Sequence, residues 1–236
     1  MKIGIDLGGT KTEAILISDS GKEIFKKRIK TEKNYEGTLR GIKLLINEIE
    51  SQFEKVDEIG IGMPGAISID SSLVKNANSI WLNNKPLKKD LESSLNKRIK
   101  LENDANCFAL SEAVDGAGKD YEVVFGVILG TGVGGGIVIN KKIIQGYNKI
   151  GGEWGHISLP NITEDEKKFS NKCYCGLEGC IETYISGPGF CKIFNNKNKE
   201  NFDTHQIIKG FDEGDSRCVD SLNNYIDHLA RGLSNI

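Results

Sequence analysis

Two glycine-rich turns on this chain have residue types that suit phosphate binding. The first, at residues 6–11, is Asp-Leu-Gly-Gly-Thr-Lys, and the second, at residues 130–136, is Gly-Thr-Gly-Val-Gly-Gly-Gly. Each turn stands between two short apolar segments, which predicts a β-hairpin. Glycine allows backbone N–H groups to approach a phosphate closely, so the two turns predict a nucleotide held between them. The residues predicted to contact it are Gly4, Ile5, Asp6, Leu7, Gly8, Gly9, Thr10, Lys11, Thr131, Gly132, Val133, Gly134, Gly135 and Gly136.

The first turn contains three groups with separate roles in that prediction. Asp6 ends an apolar strand, where its carboxylate can orient Mg²⁺ near the β- and γ-phosphates. The hydroxyl of Thr10 can donate to a phosphate oxygen, and Lys11 adds a positive charge. A tight hairpin with a surface lysine would have the same residues, but the presence of the second turn favours the phosphate site.

An Asn-Asp pair lies between the two turns, at a predicted strand-to-helix junction. Asp104 at such a junction is most often a helix N-cap. A carboxylate there can also act as a general base and accept the proton of a hydroxyl that attacks the γ-phosphate. The preceding Asn103 and the position between two phosphate turns favour the catalytic role, while residue type alone favours the cap.

Three clustered cysteines and one histidine have the spacing of a zinc site. Cys173, Cys175 and Cys180 form a C-x-C-x₄-C pattern, and His156 precedes it by seventeen residues. This Cys₃His set suits tetrahedral zinc, and because all four ligands are protein side chains the ion would be structural. Three unrelated thiols in one loop are the alternative.

Two acidic residues flank this cluster in the sequence. Glu153 and Glu182 carry carboxylates that can accept hydrogen bonds from sugar hydroxyls, although glutamate is also common on protein surfaces.

Composition limits the class of protein. The 236 residues, 38% of them hydrophobic and 27% charged, are typical of a globular protein with room for two modest domains. A net charge of −2 without a basic stripe disfavours a nucleic-acid partner. No apolar run reaches membrane-spanning length, and Met1 leads directly into a predicted strand, so the cytoplasm is the expected compartment and no membrane association is expected.

The predicted elements repeat along the chain. The first half has the order β-β-β-α-β-α-β-α of a ribonuclease-H-like lobe, and a strand pattern restarts at residue 122. We therefore expect an N-terminal lobe at residues 1–116, with the first phosphate loop and Asp104, and a C-terminal lobe at residues 117–236. The predicted strands are 2–7, 12–18, 22–29, 57–62, 99–101, 122–129, 133–139 and 141–144, and the predicted helices are 36–54, 86–95 and 104–115.

The last third of the chain has weaker patterns. Residues 161–172 are charged and lack periodicity, which predicts a surface loop, and the segments 181–195, 204–210 and 215–235 have mixed helical character. An apolar helical stripe still continues at Ile236, so the C-terminal lobe is expected to be truncated.

Five motifs in one order resemble the ROK family (repressors, open reading frames and sugar kinases). The resemblance implies an α/β, actin/hexokinase-like fold of two lobes with a mixed sheet in each, ATP bound between the lobes, and a homodimer. It implies that Asp104 is the catalytic base, that Asn103, Glu153, His156 and Glu182 bind sugar hydroxyls, and that zinc lies on His156 and the clustered cysteines. The motifs are residues 6–11, 102–106, 130–134, 152–156 and 173–182.

Within the family, residues 3–13, 74–83, 111–117 and 173–186 resemble bacterial manno(fructo)kinases. This resemblance implies an ATP-dependent fructokinase that phosphorylates the C6 hydroxyl of fructose, with N-acetylglucosamine kinase and glucokinase as alternatives. A truncated, inactive sugar-binding remnant is another alternative. A ROK transcriptional regulator is disfavoured, because those proteins carry a helix-turn-helix before the first phosphate loop, which here starts at Ile3.

Overall fold

Ten strands and eight α-helices make up the chain in a computed structural model that describes residues 1–236. The strands are β1 (Lys2–Leu7), β2 (Lys11–Ile17), β3 (Glu23–Lys30), β4 (Glu58–Met63), β5 (Ala66–Ile67), β6 (Val74–Lys75), β7 (Arg98–Asn103), β8 (Val123–Leu129), β9 (Val133–Ile139) and β10 (Lys142–Ile143). The helices are α1 (Tyr35–Gln52), α2 (Leu87–Leu95), α3 (Asp104–Val114), α4 (Glu164–Phe169), α5 (Glu182–Ile185), α6 (Gly187–Asn198), α7 (Thr204–Asp212) and α8 (Ser216–Leu233).

A mixed five-stranded sheet of order β3-β2-β1-β4-β7 forms the first half. Its central strand β1 pairs antiparallel with β2 and parallel with β4, and the residues between β1 and β2 are the first glycine-rich turn. Ile3, Ile5 and Leu7 of β1 are buried at alternate positions, as the period of two requires. The main hydrophobic core lies between this sheet and α1, whose first turn is capped by the side chain of Asn34.

A second sheet of order β10-β9-β8 forms around the other glycine-rich turn. All its strands are antiparallel, so the expectation of a mixed sheet in both lobes is wrong for this one. The physical reason is that a parallel pair needs a crossover to a later strand, and the residues after β10 form helices and loops without a further strand.

Helix α3 packs on this second sheet and also reaches the first. A Cβ added to Gly126 of β8 would lie 2.7 Å from Cβ of Ala109, so only glycine allows this approach of strand and helix. On its other side, a Cβ at Gly62 of β4 would lie 3.4 Å from Sγ of Cys107 in α3. Helix α3, which begins at Asp104, is therefore held between both sheets. The division of the chain into two lobes at residues 116/117 stays a prediction.

The C-terminal segments are helical, and one of them was not expected. Residues 161–172 contain α4, whose capping box joins Thr163 and Glu166, so the prediction of a loop throughout is wrong. Helix α4 is held to α8 because Glu166 accepts hydrogen bonds from His228 and Arg231. None of the helices has the length and apolar character that a bilayer-spanning segment requires.

Candidate active site

The junction of β7 and α3 presents Asp104 with its carboxylate free of the capping role. Asn103 is the N-cap: its Oδ1 accepts a hydrogen bond from the backbone N–H of Asn106 at 3.2 Å. Its Nδ2 donates to the carbonyl oxygen of Gly65 at 3.1 Å, which fixes the turn from the other side. Asp104 accepts only the N–H of Ala105, at 2.8 Å, through Oδ1. Because the neighbouring asparagine caps the helix, the cap interpretation of Asp104 is wrong.

Asp104 lines a cleft of about 620 Å³ that lies between the two sheets. The second glycine-rich turn lines the same cleft through residues 130–135. Of the residues expected to bind sugar, Asn103, Glu153, His156 and Glu182 all line it too. The structure therefore brings together the proposed base, one of the two turns predicted to bind phosphate, and the four residues that the family resemblance implies for sugar binding.

Burial and neighbouring charges disfavour the ionised forms of the carboxylic acids here. Surrounding protein atoms desolvate Asp104 even though the cleft leaves it accessible, and this desolvation, with the charge of Asp6, raises the pKa of Asp104. Desolvation also raises the pKa of Glu153; Asp104 and Glu182 add to the rise while His156 opposes it. The pKa of Asp6 is raised as well, by burial and then by the charge of Glu13. A site that raises the pKa of several carboxyl groups has the electrostatics expected of acid–base chemistry.

The second glycine-rich turn is tied to its surroundings through the backbone. The carbonyl of Gly130 accepts the N–H of Gly187, the first residue of α6, at 2.9 Å. Indole Nε1 of Trp154 donates to the carbonyl of Gly134 at 2.8 Å. Gly136 does not line the cleft: it is buried against α3, where a Cβ would lie 2.8 Å from the carbonyl oxygen of Ala105.

Residues 4–11, which include the first glycine-rich turn, do not line this cleft. The turn is closed by a hydrogen bond from the N–H of Gly8 to the carbonyl of Lys11 at 3.0 Å, and Thr31 donates to the carbonyl of Gly8 at 2.8 Å. Thr10 and Lys11 are exposed. The charge of Asp6 contributes to the raised pKa of Asp104 in the cleft.

The Cys₃His set comes together as its spacing predicts. The ligand atoms of His156, Cys173, Cys175 and Cys180 all lie within 4.8 Å of one another. Nδ1 of the histidine is 3.5 Å from Sγ of Cys173, and Sγ of Cys175 is 3.6 Å from Sγ of Cys180. With a zinc–sulfur bond of about 2.3 Å, tetrahedral ligands stand just under ~4 Å apart, so the four donors fit zinc.

Tyr174 is a cleft residue that sequence reasoning missed. It stands between two of the cysteine ligands, and its hydroxyl lies 2.9 Å from Nε2 of His156, the ring nitrogen that faces away from the cysteines. Its position inside the C-x-C motif was the available signal. Asn76, Asn78 and Lys192 also line the cleft and were not predicted as site residues. The polar Asn-Ala-Asn run signalled the first two, whereas nothing in the sequence around Lys192 marked it.

Comparisons with known proteins agree on a family. The family model described as the ROK family matches residues 2–236. N-acetyl-D-glucosamine kinases from Shigella flexneri and Escherichia coli are 39% identical to the chain over 241 residues, which cover 100% of the chain and 79% of each relative.

Solved structures give the same result for the fold. The ROK hexokinase from Thermus thermophilus superposes with a TM-score of 0.86 and 26% identity, covering 99% of this chain and 76% of that one. A ROK family glucokinase from Streptomyces griseus, in complex with glucose and AMPPNP, superposes with a TM-score of 0.76 and 28% identity, covering 99% and 78%. These neighbours confirm the predicted actin/hexokinase-like fold.

Proposed function

Because the chain belongs to the ROK family of sugar kinases, we propose that it transfers the γ-phosphate of ATP to a hydroxyl of N-acetyl-D-glucosamine. The observation that carries this proposal is the position of Asp104, which lines the same cleft as the glycine-rich turn at 130–135 and the carboxylates of Glu153 and Glu182. A carboxylate beside a phosphate loop and a set of hydroxyl-binding groups is what sugar phosphorylation needs.

In the proposed reaction, Asp104 accepts the proton of the attacking sugar hydroxyl. The hydroxyl oxygen forms a bond to the γ-phosphorus while the bond from that phosphorus to the β-phosphate oxygen breaks, so ADP leaves. A pKa raised by desolvation makes Asp104 a better base than a fully solvated aspartate. Asn103 holds the turn in place by bonding to Gly65 and Asn106.

The phosphates would be bound by backbone N–H groups of the second turn, with residues 4–11 as the partner loop. Asp6 would hold Mg²⁺, which supplies charge neutralisation at the β- and γ-phosphates. Thr10 and Lys11 are exposed on the same turn as further donors.

Zinc on His156 and the three cysteines would fix the loop that carries Tyr174. With Nδ1 directed at the cysteines, Nε2 of His156 faces Tyr174 in the cleft, and a sugar hydroxyl that binds this nitrogen would take the place of the Tyr174 hydroxyl. This division of the two ring nitrogens ties the orientation of a substrate-binding group to the metal site.

The choice of N-acetyl-D-glucosamine rests on two supports. The first is the 39% identity to kinases with that name, which favours this sugar over fructose, the acceptor implied by the sequence motifs. The second is the amide side chains of Asn76 and Asn78 in the cleft, since an amide can donate to an acetyl carbonyl and accept from the N–H beside it.

The test is a coupled assay of ADP formation with four sugars in parallel: N-acetyl-D-glucosamine, fructose, mannose and glucose. We expect kcat/KM for N-acetyl-D-glucosamine to exceed that for fructose by about tenfold or more, because fructose has no acetamido group to pair with the asparagine amides in the cleft. A higher kcat/KM for fructose would restore the fructokinase assignment. Absence of ADP formation with every sugar would support the inactive sugar-binding remnant.

A further inference from the structure

The carboxylate of Glu102, half-buried at the end of β7, joins three segments of the chain. Its Oε1 accepts hydrogen bonds from the backbone N–H of Asn103 at 2.9 Å and from Nδ2 of Asn106 at 3.0 Å. Its Oε2 accepts one from Nε2 of Gln145. The first two bonds fix the turn that carries Asp104, and the third reaches the loop that follows β10.

Gln145 begins the loop that leads to Glu153. Its carbonyl accepts the N–H of Gly151 at 2.8 Å, which closes residues 145–151 on themselves. The next residue, Gly152, has a φ of 87° and lies so close to the second phosphate loop that a Cβ would be 2.4 Å from the carbonyl oxygen of Gly135. The position of Glu153 is therefore set by the close contact of Gly152 with Gly135 and by the hydrogen bond of Gly151 to Gln145.

The same loop has a second contact with the first half of the chain. Nζ of Lys75, in β6, donates to the carbonyl of Asn148 at 3.0 Å. The cavity beside Glu102 has a volume of only about 20 Å³, room for no more than a water molecule. Glu102 consequently has no space to bind a substrate and acts through its protein neighbours.

We propose that Glu102 and Gln145 are positioning residues for phosphoryl transfer, whose hydrogen bond sets the placement of Asp104 relative to Glu153 across the cleft. This inference rests on the proposed sugar kinase activity. Neither side chain bonds to a phosphate loop, so breaking the pair should raise KM for the sugar and lower kcat while KM for ATP changes little.

A charge swap tests the pair. Gln145→Glu sets two carboxylates against each other, whereas Glu102→Gln combined with Gln145→Glu restores an amide–carboxylate bond in the opposite direction. In the double variant the carbonyl oxygen of Gln at 102 still accepts from Asn103 and Asn106. Glu102→Gln alone is a poor test, because the amide of Gln145 can rotate and offer its oxygen instead. Tyr147→Gln is the matched control: this side chain lies in the same loop, is 85% exposed and makes no hydrogen bond.

We expect Gln145→Glu to lower kcat/KM for the sugar at least tenfold, with KM for ATP within twofold of wild type. The double variant should recover to within about threefold, and Tyr147→Gln should match wild type. A value within twofold of wild type for Gln145→Glu, or a double variant as impaired as the single one, overturns the proposal. If Gln145→Glu does not fold, Gln145→Met removes the donor without adding charge, and wild-type kcat/KM in that variant overturns the proposal equally.

Hydrogen–deuterium exchange separates this inference from the proposed function. A wild-type chain that phosphorylates no sugar contradicts the kinase activity only. In that case hydrogen–deuterium exchange still tests the Glu102–Gln145 hydrogen bond. Gln145→Glu should speed amide exchange at residues 103–106 and 151–154 together, and the double variant should slow it again. Unchanged exchange in the single variant overturns the pairing.

Discussion

Glu182 accepts a hydrogen bond from the backbone N–H of Val133 at 2.9 Å. A side chain from the start of α5, expected to bind sugar, is thereby bonded to the glycine-rich turn expected to bind phosphate. The same carboxylate oxygen also packs closely against the preceding residue of the turn, since a Cβ on Gly132 would lie 2.9 Å from it. The parts of the cleft proposed to bind sugar and phosphate therefore share the carboxylate of Glu182.

Two substitutions of Glu182 should separate its roles. Glu182→Ala leaves the N–H of Val133 without its acceptor and removes a sugar ligand, so we expect KM to rise about fivefold or more for both ATP and the sugar. Glu182→Gln keeps an oxygen that can accept from Val133, so KM for ATP should stay near wild type while KM for the sugar rises. Steady-state kinetics with each substrate varied in turn measures both. Equal effects of the two substitutions on ATP would contradict the role of this bond.

The pH dependence of kcat/KM should report Asp104. A general base must be ionised, so activity should fall as the pH drops through its pKa. Because burial and the charge of Asp6 raise that pKa above 3.8, we expect the acid limb at a higher pH than an ordinary aspartate would give. The measurement is kcat/KM for the sugar over the range in which the protein stays folded. A profile that is flat down to the ordinary aspartate range would contradict the assignment.

Zinc should be present and should affect sugar binding. We expect about one zinc per chain by metal analysis, and a Cys175→Ser variant with less zinc and a KM for the sugar raised about fivefold or more. Cys191→Ser is the control, because Cys191 lies outside the cluster and its contact with Thr204 can be kept by a hydroxyl. Wild-type zinc content in Cys175→Ser, or a zinc-free wild-type chain with normal kinetics, would refute the site.

The contact between α4 and α8 should make the protein sensitive to acid. Burial opposes ionisation of Glu166, but hydrogen bonds from the N–H of Thr163, from Arg231 and from His228 lower its pKa to about 2. The stabilisation from this shift is complete above its ordinary pKa of 4.5 and is lost as the pH falls toward 2. Burial lowers the pKa of His228 below its ordinary value of 6.5 in the folded chain. As the pH falls below 6.5, His228 is therefore protonated in the unfolded chain before it is protonated in the folded chain, and the free energy of unfolding decreases.

Glu166→Gln tests this account of stability. At pH 7 we expect the substitution to lower the free energy of unfolding by about 2 kcal/mol, since it weakens a largely buried ion pair. As the pH falls from 4.5 toward 2, the variant should lose less stability than the wild type. Denaturant unfolding at several pH values measures both effects. Parallel pH curves for the two proteins would show that Glu166 does not contribute the acid sensitivity.

Local patterns were sufficient for the groups that lie close together in the sequence. The alternation in β1, the hairpin through Gly8 and the C-x-C-x₄-C spacing each reflect geometry that a few neighbouring residues impose. Helix α4 was missed although its Thr163-x-x-Glu166 capping box was readable, because the short segment has no apolar periodicity.

Contacts between distant segments could not be predicted in this way. The Glu166–His228 bond joins residues 62 apart, and the bond between Glu102 and Gln145 joins residues 43 apart. Neither leaves a periodic signal in the sequence. The absence of a capping role for Asp104 belongs to the same class, because Asn103, which caps the helix instead, is held by the carbonyl of Gly65 in the turn after β4.

The most direct measurement of the central claim is phosphorus NMR of the purified chain with ATP, Mg²⁺ and N-acetyl-D-glucosamine, alongside Asp104→Asn. The asparagine keeps an oxygen that can accept the N–H of Ala105, so the turn should hold. For the wild type we predict a sugar phosphate signal that grows as the γ-phosphate signal of ATP declines. For Asp104→Asn we predict a rate lower by about 10²-fold or more, with sugar binding retained in calorimetry. Near-wild-type turnover in Asp104→Asn would contradict the account.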